Sequence, residues 1–155
     1  MKNITWPILI VYLVSLVGCA TPPQGELFSE VNHPKPGMAK VYVYRPDTVG
    51  AHGLAPILIV GGKEVAKMPV NAYAEADVVP GYNSVVFDWP LFSMMPNTSY
   101  GFSFEEGKTY FIKFYVEDKG VVWFFSAEEI DPSVAVQEMA TYRLSEQVDE
   151  SNKHL

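Results

Sequence analysis

The sequence predicts an all-β protein, specifically an antiparallel β-sandwich of about seven strands with one C-terminal helix. Apolar and polar residues alternate over short stretches such as residues 39–44, which is the period of a β-strand. Glycine and proline turn signals separate these stretches at roughly ten-residue intervals. Helical and strand patterns do not alternate along the chain, which disfavours a parallel α/β sheet.

The strand pattern occurs in segments separated by turn residues. The glycine pair at 61–62 indicates a hairpin turn, because glycine adopts positive φ at little steric cost. Residues 80–81 and 118–120 mark two more turns, whereas the proline-containing stretch 89–99 has no strand pattern. The predicted strands are residues 39–44, 55–60, 63–68, 73–79, 82–88, 109–117 and 121–127.

A helix is predicted directly after the sandwich domain, which we assign to residues 38–130. Asp131 is a suitable N-cap, and Pro132 suits the first helical position. Residues 131–155 are therefore interpreted as a helix followed by a polar tail. Steps of three and four along the helix give one apolar face, made of Val136, Met139, Ala140 and Leu144.

The N-terminus has the pattern of a targeting segment. Residues 8–17 are almost wholly apolar, but they are too few to cross a hydrocarbon core, which needs roughly 20 residues. The apolar run ends in Leu-Val-Gly-Cys at 16–19, which resembles the lipobox of bacterial lipoproteins. This resemblance implies a signal peptide over 1–18, cleavage between Gly18 and Cys19, and a covalent lipid on the Cys19 thiol. A short uncleaved membrane anchor with a free thiol is the alternative.

The segment after the cysteine is predicted to be a flexible tether. Residues 19–37 are rich in proline and glycine and contain few apolar side chains, so regular structure is not expected. Extended at roughly 3.3 Å per residue, this tether would hold the domain tens of Å from a membrane. Ala20, rather than an aspartate, follows the cysteine. By the same family resemblance it favours the bacterial outer membrane, with the domain facing the periplasm.

Composition limits the chemistry that the chain can perform. Its 11 basic and 18 acidic residues give a net charge of −7, which would repel the backbone of a nucleic acid. Cys19 is the only cysteine, so its lipidation would leave no thiol for a disulfide, a metal site or a nucleophile. Hydrophobic residues make up 48% of the chain, so an apolar core can stabilise the domain without cross-links.

The sequence contains no recognisable catalytic or metal-binding constellation. No histidine has another at metal-ligand spacing, and we expect neither enzyme activity nor a cofactor other than the covalent lipid. Acidic side chains on loops would suit calcium, but solvated turns are the simpler interpretation. The histidines are His33 in the tether, His52 in a glycine-containing loop and His154 in the tail. The acidic clusters are residues 105–106, 117–118 and 128–131.

Aromatic residues concentrate in and after the irregular stretch 89–99. If they are exposed, they form a surface for a partner protein or a platform on which sugar rings stack. If they are buried, they belong to a loop folded over the edge of the sandwich. The candidate binding surface consists of Trp89, Phe92, Tyr100 and Phe102.

Four segments behind the lipobox resemble, in this order, an uncharacterised family of small β-rich bacterial lipoproteins. The resemblance implies a structural β-domain and supplies no catalytic residues. Arg45 is the most distinctive polar residue of these segments, and we expect it to pair with a carboxylate at the end of the sheet. The segments are residues 39–46, 62–65, 80–82 and 106–111.

Together these patterns predict a membrane-anchored bacterial envelope lipoprotein that is a non-enzymatic structural or protein-interaction module. Its expected partners are the lipid bilayer, through the anchor, and an envelope protein or glycan, with no nucleic acid among them. The alternative is a carbohydrate- or peptidoglycan-binding module that uses exposed aromatic residues in the region 89–102.

Overall fold

The computed structural model describes residues 22–48, 51–120 and 123–148. The predicted signal peptide and its cleavage site lie outside these ranges. The described residues form nine strands, one α-helix, α1 (Pro132–Met139), and a short 3₁₀ turn at Leu91–Ser93. The strands are β1 (Ala39–Arg45), β2 (Ile57–Val60), β3 (Lys63–Lys67), β4 (Ala72–Val78), β5 (Gly81–Asp88), β6 (Thr98–Phe104), β7 (Thr109–Asp118), β8 (Trp123–Glu129) and β9 (Arg143–Leu144).

Two sheets pack face to face, as expected for a β-sandwich. The first sheet has the strand order β8-β7-β1-β4-β9, and the second has the order β3-β2-β5-β6. Most neighbouring strands are antiparallel, but β1 pairs with β7 in parallel, and β4 pairs with β9 in parallel. The all-β sandwich with a single C-terminal helix is confirmed, although the described part of the chain has nine strands rather than seven.

The strands β6 and β9 were not predicted. In β6, Ser99, Gly101 and Ser103 face solvent and alternate with more buried aromatic residues, so the segment does carry the period of a strand. It pairs with β5 along its whole length. The two residues of β9 depend on pairing with β4.

The core is built on β1, whose residues are all buried. Val41 and Val43 belong to the cluster of apolar side chains between the two sheets. Tyr42 and Tyr44 point to the other face of the first sheet and belong to a second cluster beneath α1. The first sheet is therefore covered on both faces, and burial of each such side chain contributes roughly 1.5–3 kcal/mol.

The helix α1 begins as predicted but ends earlier. The Asp131 carboxylate accepts the N–H of Ser133 at 2.9 Å, and proline occupies the first turn. The helix ends at Met139, so Leu144 lies in β9 and not on the helix. Val136 and Ala140 are exposed, so of the predicted apolar face only Met139 is buried. Ala135 and Met139 are the buried residues of α1, because they point into the cluster beneath the helix.

The described part of the predicted tether packs against the first sheet and is not a free spacer. Phe28 is only 8% exposed, and its ring meets the ring of Tyr42 edge-on with centroids 5.9 Å apart. The Phe28 N–H donates to the carbonyl of Tyr142 at 2.9 Å. We call residues 22–37 the docked segment, because an apolar side chain that the sequence analysis passed over fixes it to the domain.

Gly25 brings the docked segment into close contact with β9. A Cβ at this position would lie 2.3 Å from the carbonyl oxygen of Leu144, so only glycine fits here without displacement. The Leu144 N–H donates to the carbonyl of Glu26 at 2.8 Å, and the Arg143 guanidinium donates to the carbonyl of Gly25 at 3.1 Å. The docked segment is thus held from its first residues.

The sandwich has two unlike ends. The end at which β1 stops is called the loop end, because the long connections 46–56 and 89–97 lie there. The opposite end, the turn end, carries the tight turns at 61–62, 79–81 and 105–107. Residues 22–25 line a groove with Lys67, the last residue of β3, so the docked segment begins at the loop end.

Candidate functional site

The structure separates the four aromatic residues that were predicted to form a binding surface. Trp89 is only 4% exposed, and its ring packs against that of Phe125 with centroids 5.0 Å apart. Tyr100 is half-buried and donates its hydroxyl to the carbonyl of Phe125 at 2.5 Å. Phe102 is half-buried against the core, whereas Phe92 is 79% exposed. The predicted surface is therefore corrected: only Phe92 is free to meet a large partner or a sugar ring.

Three large apolar side chains project from the connection between β5 and β6. Leu91 is 99% exposed, Phe92 79% and Met94 94%. We call residues 90–97 the apolar loop. From Trp89 to Phe104 the chain contains no charged residue, so the loop presents an uncharged surface at the loop end.

Hydrogen bonds hold the apolar loop in this conformation. The N–H of Ser93 donates to the carbonyl of Pro90 at 2.8 Å, and the N–H of Trp89 donates to the side-chain oxygen of Asn97 at 3.0 Å. Met94 has a φ of 54°, in the left-handed region that is unfavourable for a side chain of this size. Such strain persists only where the surrounding contacts enforce it. These contacts hold the loop in the conformation in which Leu91, Phe92 and Met94 are exposed.

Two adjoining grooves flank the apolar loop. The first has a volume of about 850 Å³, and Trp89, Leu91 and Met94 contribute to its walls. The second, of about 600 Å³, is lined by residues 22–25 and by the chain around β9. Both grooves include Ala55 and Lys67 in their walls, so the docked segment and the apolar loop are neighbours on the surface.

Arg45 fixes the loop end beneath this surface. Its guanidinium is buried and donates to the carbonyls of Leu54 at 2.7 Å, Met68 at 2.8 Å and Ala51 at 2.8 Å. It also lies 5.3 Å from the centroid of the Trp89 ring, within range of a cation–π interaction. Burial lowers the pKa of Arg45 to about 10, so the group is still charged at neutral pH. Arg45 was predicted to pair with a carboxylate, but its hydrogen-bond acceptors are these three carbonyl oxygens.

An ion pair links α1 to the first sheet on the other side of the domain. The Glu138 carboxylate accepts the hydroxyl of Tyr44 at 2.7 Å and the ammonium of Lys113 at 2.9 Å. Burial would raise the pKa of Glu138, but these two donors outweigh it and hold the pKa below its ordinary value. Lys40 pairs with Asp77 at 3.1 Å in a similar way along the sheet. These contacts fasten α1 to the first sheet and link neighbouring strands of that sheet.

The acidic clusters predicted at strand ends take part in turns and a cap. Glu105 pairs with Lys108 at 2.7 Å, and Glu117 pairs with Lys119 at 3.0 Å. Asp131 caps α1. Within the ranges given above, no group of three His, Cys, Asp or Glu side chains is arranged to hold a metal ion.

The histidines of the described chain are at the surface. His52 lies on the connection between β1 and β2, with its Nδ1 2.7 Å from a carboxylate oxygen of Asp47. His33 is exposed on the docked segment. His154 lies outside the described residues, as do Gly18 and Cys19, the residues predicted for signal cleavage and lipidation.

Comparison of the chain with protein-family models, curated proteins and solved structures gave no match. The resemblance to a lipoprotein family therefore stays a prediction. In the part of the chain that the structure describes, no helix has the length and apolar character needed to cross a membrane.

Sequence reasoning missed Leu91 as a surface residue and missed the docking of residues 22–25. The exposure of Leu91 was indicated by its position in a charge-free stretch with prolines at 90 and 96. The docking of the segment was indicated by Phe28, a large apolar residue in a proline-rich stretch.

Proposed function

We propose that this chain is a bacterial envelope lipoprotein, anchored by an acylated Cys19, whose β-sandwich is a non-enzymatic structural or protein-interaction module. The observation that carries the proposal is that Pro22, three residues after Cys19 in the sequence, lines the groove at the loop end. Three extended peptide units span about 11 Å at most. A lipid on Cys19 would therefore hold the loop end near the bilayer. Ala20 supports placement in the outer membrane with the domain facing the periplasm.

The contacts of three buried or partly buried ionisable groups support a structural role. Arg45 holds the connections of the loop end, Lys40 holds neighbouring strands and Glu138 holds α1. Groups that make such contacts stabilise the fold. This arrangement suits a rigid domain that binds or braces another envelope component.

Acylation and location can be tested together by comparing the wild-type chain with Cys19→Ser. Thr21→Ser is the matched control, because it changes a residue two positions after the cysteine and leaves the lipobox intact. In wild-type membranes, mass spectrometry should find residues 1–18 removed and Cys19 acylated, and density-gradient fractions should place the protein in the outer membrane. Cys19→Ser should lose the lipid and leave that fraction. A wild-type Cys19 that is unacylated and still joined to residues 1–18 would contradict the proposal.

A carbohydrate-binding module is the alternative, and the exposure of Phe92 is the observation that favours it. In that case the purified domain should sediment with peptidoglycan sacculi, and Phe92→Ser should abolish most of the sedimentation. Wild-type protein that stays in the supernatant would exclude this alternative.

A further inference from the structure

We propose that the apolar loop is a second membrane contact, in which Leu91, Phe92 and Met94 enter the bilayer interface beside the lipid on Cys19. This inference rests on the proposed function, because the lipid brings the loop end to the membrane. The occupant of the apolar surface is thus the bilayer itself rather than a soluble partner.

The position of the docked segment brings the lipid and the apolar loop together. Residues 22–25 line a groove that shares Ala55 and Lys67 with the groove beneath the loop. The acylated residue lies three peptide units before Pro22, a span of about 11 Å at most. A lipid on Cys19 would therefore keep the loop end close to the bilayer.

The charge distribution favours the bilayer as the occupant. Moving a charged group into a bilayer is costly, and the stretch from Trp89 to Phe104 has none to move. The turn end has a different surface, with Lys63, Glu105 and Glu106 at or next to its tight turns. Charged side chains such as Asp47 and Lys67 lie elsewhere at the loop end, so the uncharged surface is that of the apolar loop itself.

The conformation of the loop suits this role. Met95 turns inward and packs against the core, whereas Leu91, Phe92 and Met94 remain exposed to water. The left-handed backbone at Met94 and the hydrogen bonds within the loop maintain this arrangement. Leucine, phenylalanine and methionine side chains of this kind are suited to the boundary between headgroups and acyl chains.

The cysteine content makes a direct test simple. Cys19 is the only cysteine, so a cysteine introduced at position 92 is the one free thiol of the lipidated chain. We would label Phe92→Cys with an environment-sensitive fluorophore and insert the lipidated protein into phosphatidylcholine vesicles. The matched control is Glu106→Cys, an exposed position at the turn end.

The proposal predicts opposite behaviour of the two labels. The label at 92 should shift its emission to the blue, be quenched by doxyl-labelled lipids and be protected from aqueous iodide. The label at 106 should remain accessible to iodide. Equal access of iodide to both labels would overturn the proposal, and so would a photocrosslinker at 92 that captures an envelope protein instead of lipid.

Thiol labelling of the wild-type protein distinguishes a failure of this proposal from a failure of the proposed function. If wild-type chain takes up the thiol label at Cys19, the residue is not acylated and the proposed function fails independently. A Cys19→Ser chain that begins at residue 19, and so lacks the apolar run 8–17, then tests the loop alone through its partition onto the same vesicles. Adding Leu91→Ser, Phe92→Ser and Met94→Ser should lower this partition on the order of a hundredfold, as expected if each side chain is about half-buried in the interface.

The control for the serine variants is Val79→Ser with Tyr82→Ser, which removes exposed apolar side chains from the turn end. This pair should leave vesicle partition unchanged. An equal loss of vesicle partition in both sets of variants would overturn the proposal, because any exposed apolar residue would then contribute to membrane binding. The same thermal unfolding midpoint in all variants would show that the fold is intact.

Discussion

Replacing Arg45 with methionine removes the guanidinium that holds the loop end together and keeps a side chain of similar length. Three carbonyls, of Ala51, Leu54 and Met68, lose a charged donor. Leaving one buried acceptor unsatisfied costs about 1–3 kcal/mol. The first two carbonyls lie on the connection 46–56 and can rehydrate when it moves, and the variant no longer buries a charge. We therefore expect a loss of about 3 kcal/mol in the free energy of unfolding.

Urea denaturation of the chain that begins at residue 19, with Cys19→Ser, measures this loss. For an m-value of about 2 kcal/mol/M, the midpoint should fall by about 1.5 M. The matched control is Arg143→Met, because Arg143 is exposed and donates to a single carbonyl, that of Gly25. Its loss should stay below about 1 kcal/mol. Limited proteolysis should also cleave the connection 46–56 faster in Arg45→Met.

The reasoning would be refuted if Arg45→Met lost no more stability than Arg143→Met. That result would mean that the connection finds other donors at no cost. Arg45→Lys gives a further check, since an ammonium group has three donors but lacks the planar fork that reaches carbonyls on separate segments. It should fall between the wild-type chain and Arg45→Met.

The remaining predictions concern the docked segment, the helix and the core. Phe28→Ala should lower stability by roughly 2–4 kcal/mol and make the docked segment exchange its amide hydrogens faster in mass spectrometry; unchanged exchange would contradict the packing. The fold lowers the pKa of Glu138, so its ionised carboxylate stabilises the folded state fully at pH values above the unfolded pKa of about 4.3. This stabilisation is lost as the pH falls through the folded pKa. Glu138→Gln should therefore flatten the acid side of the stability profile, and a profile parallel to wild type would refute this. In a Trp123→Phe chain beginning at residue 19, emission from Trp89 should resist acrylamide; quenching as strong as for free tryptophan would place Trp89 at the surface.

The parts of the fold that the sequence predicts are those encoded locally. The alternation at 39–44, the glycine pair at 61–62 and the Asp131 cap each depend on residues that are neighbours in the chain, and each is found at its place. The strand β9 depends instead on partners far away in sequence. Its two residues meet β4 and the docked segment, and nothing in their own pattern distinguishes them from the end of a helix.

The candidate site was predicted only in part, for a related reason. The aromatic residues around position 90 were noticed as a group, but composition does not say which of them point inward. Trp89 is buried because β5 ends beside Arg45, whereas Phe92 is exposed because the loop turns away at Met94. Both facts depend on how the two sheets are placed against each other, which the strand pattern alone does not determine.

The docked segment changes what an anchor at Cys19 would do. A free tether from 19 to 37 would let the domain rotate and stand off the membrane, so a weak contact of the apolar loop would seldom form. Because Pro22 lies in the groove at the loop end, a lipid three residues earlier would make the second contact an intramolecular event with a high effective concentration. A loop with modest affinity for the bilayer therefore suffices to fix the orientation of the sandwich, which leaves the charged turn end directed away from the membrane.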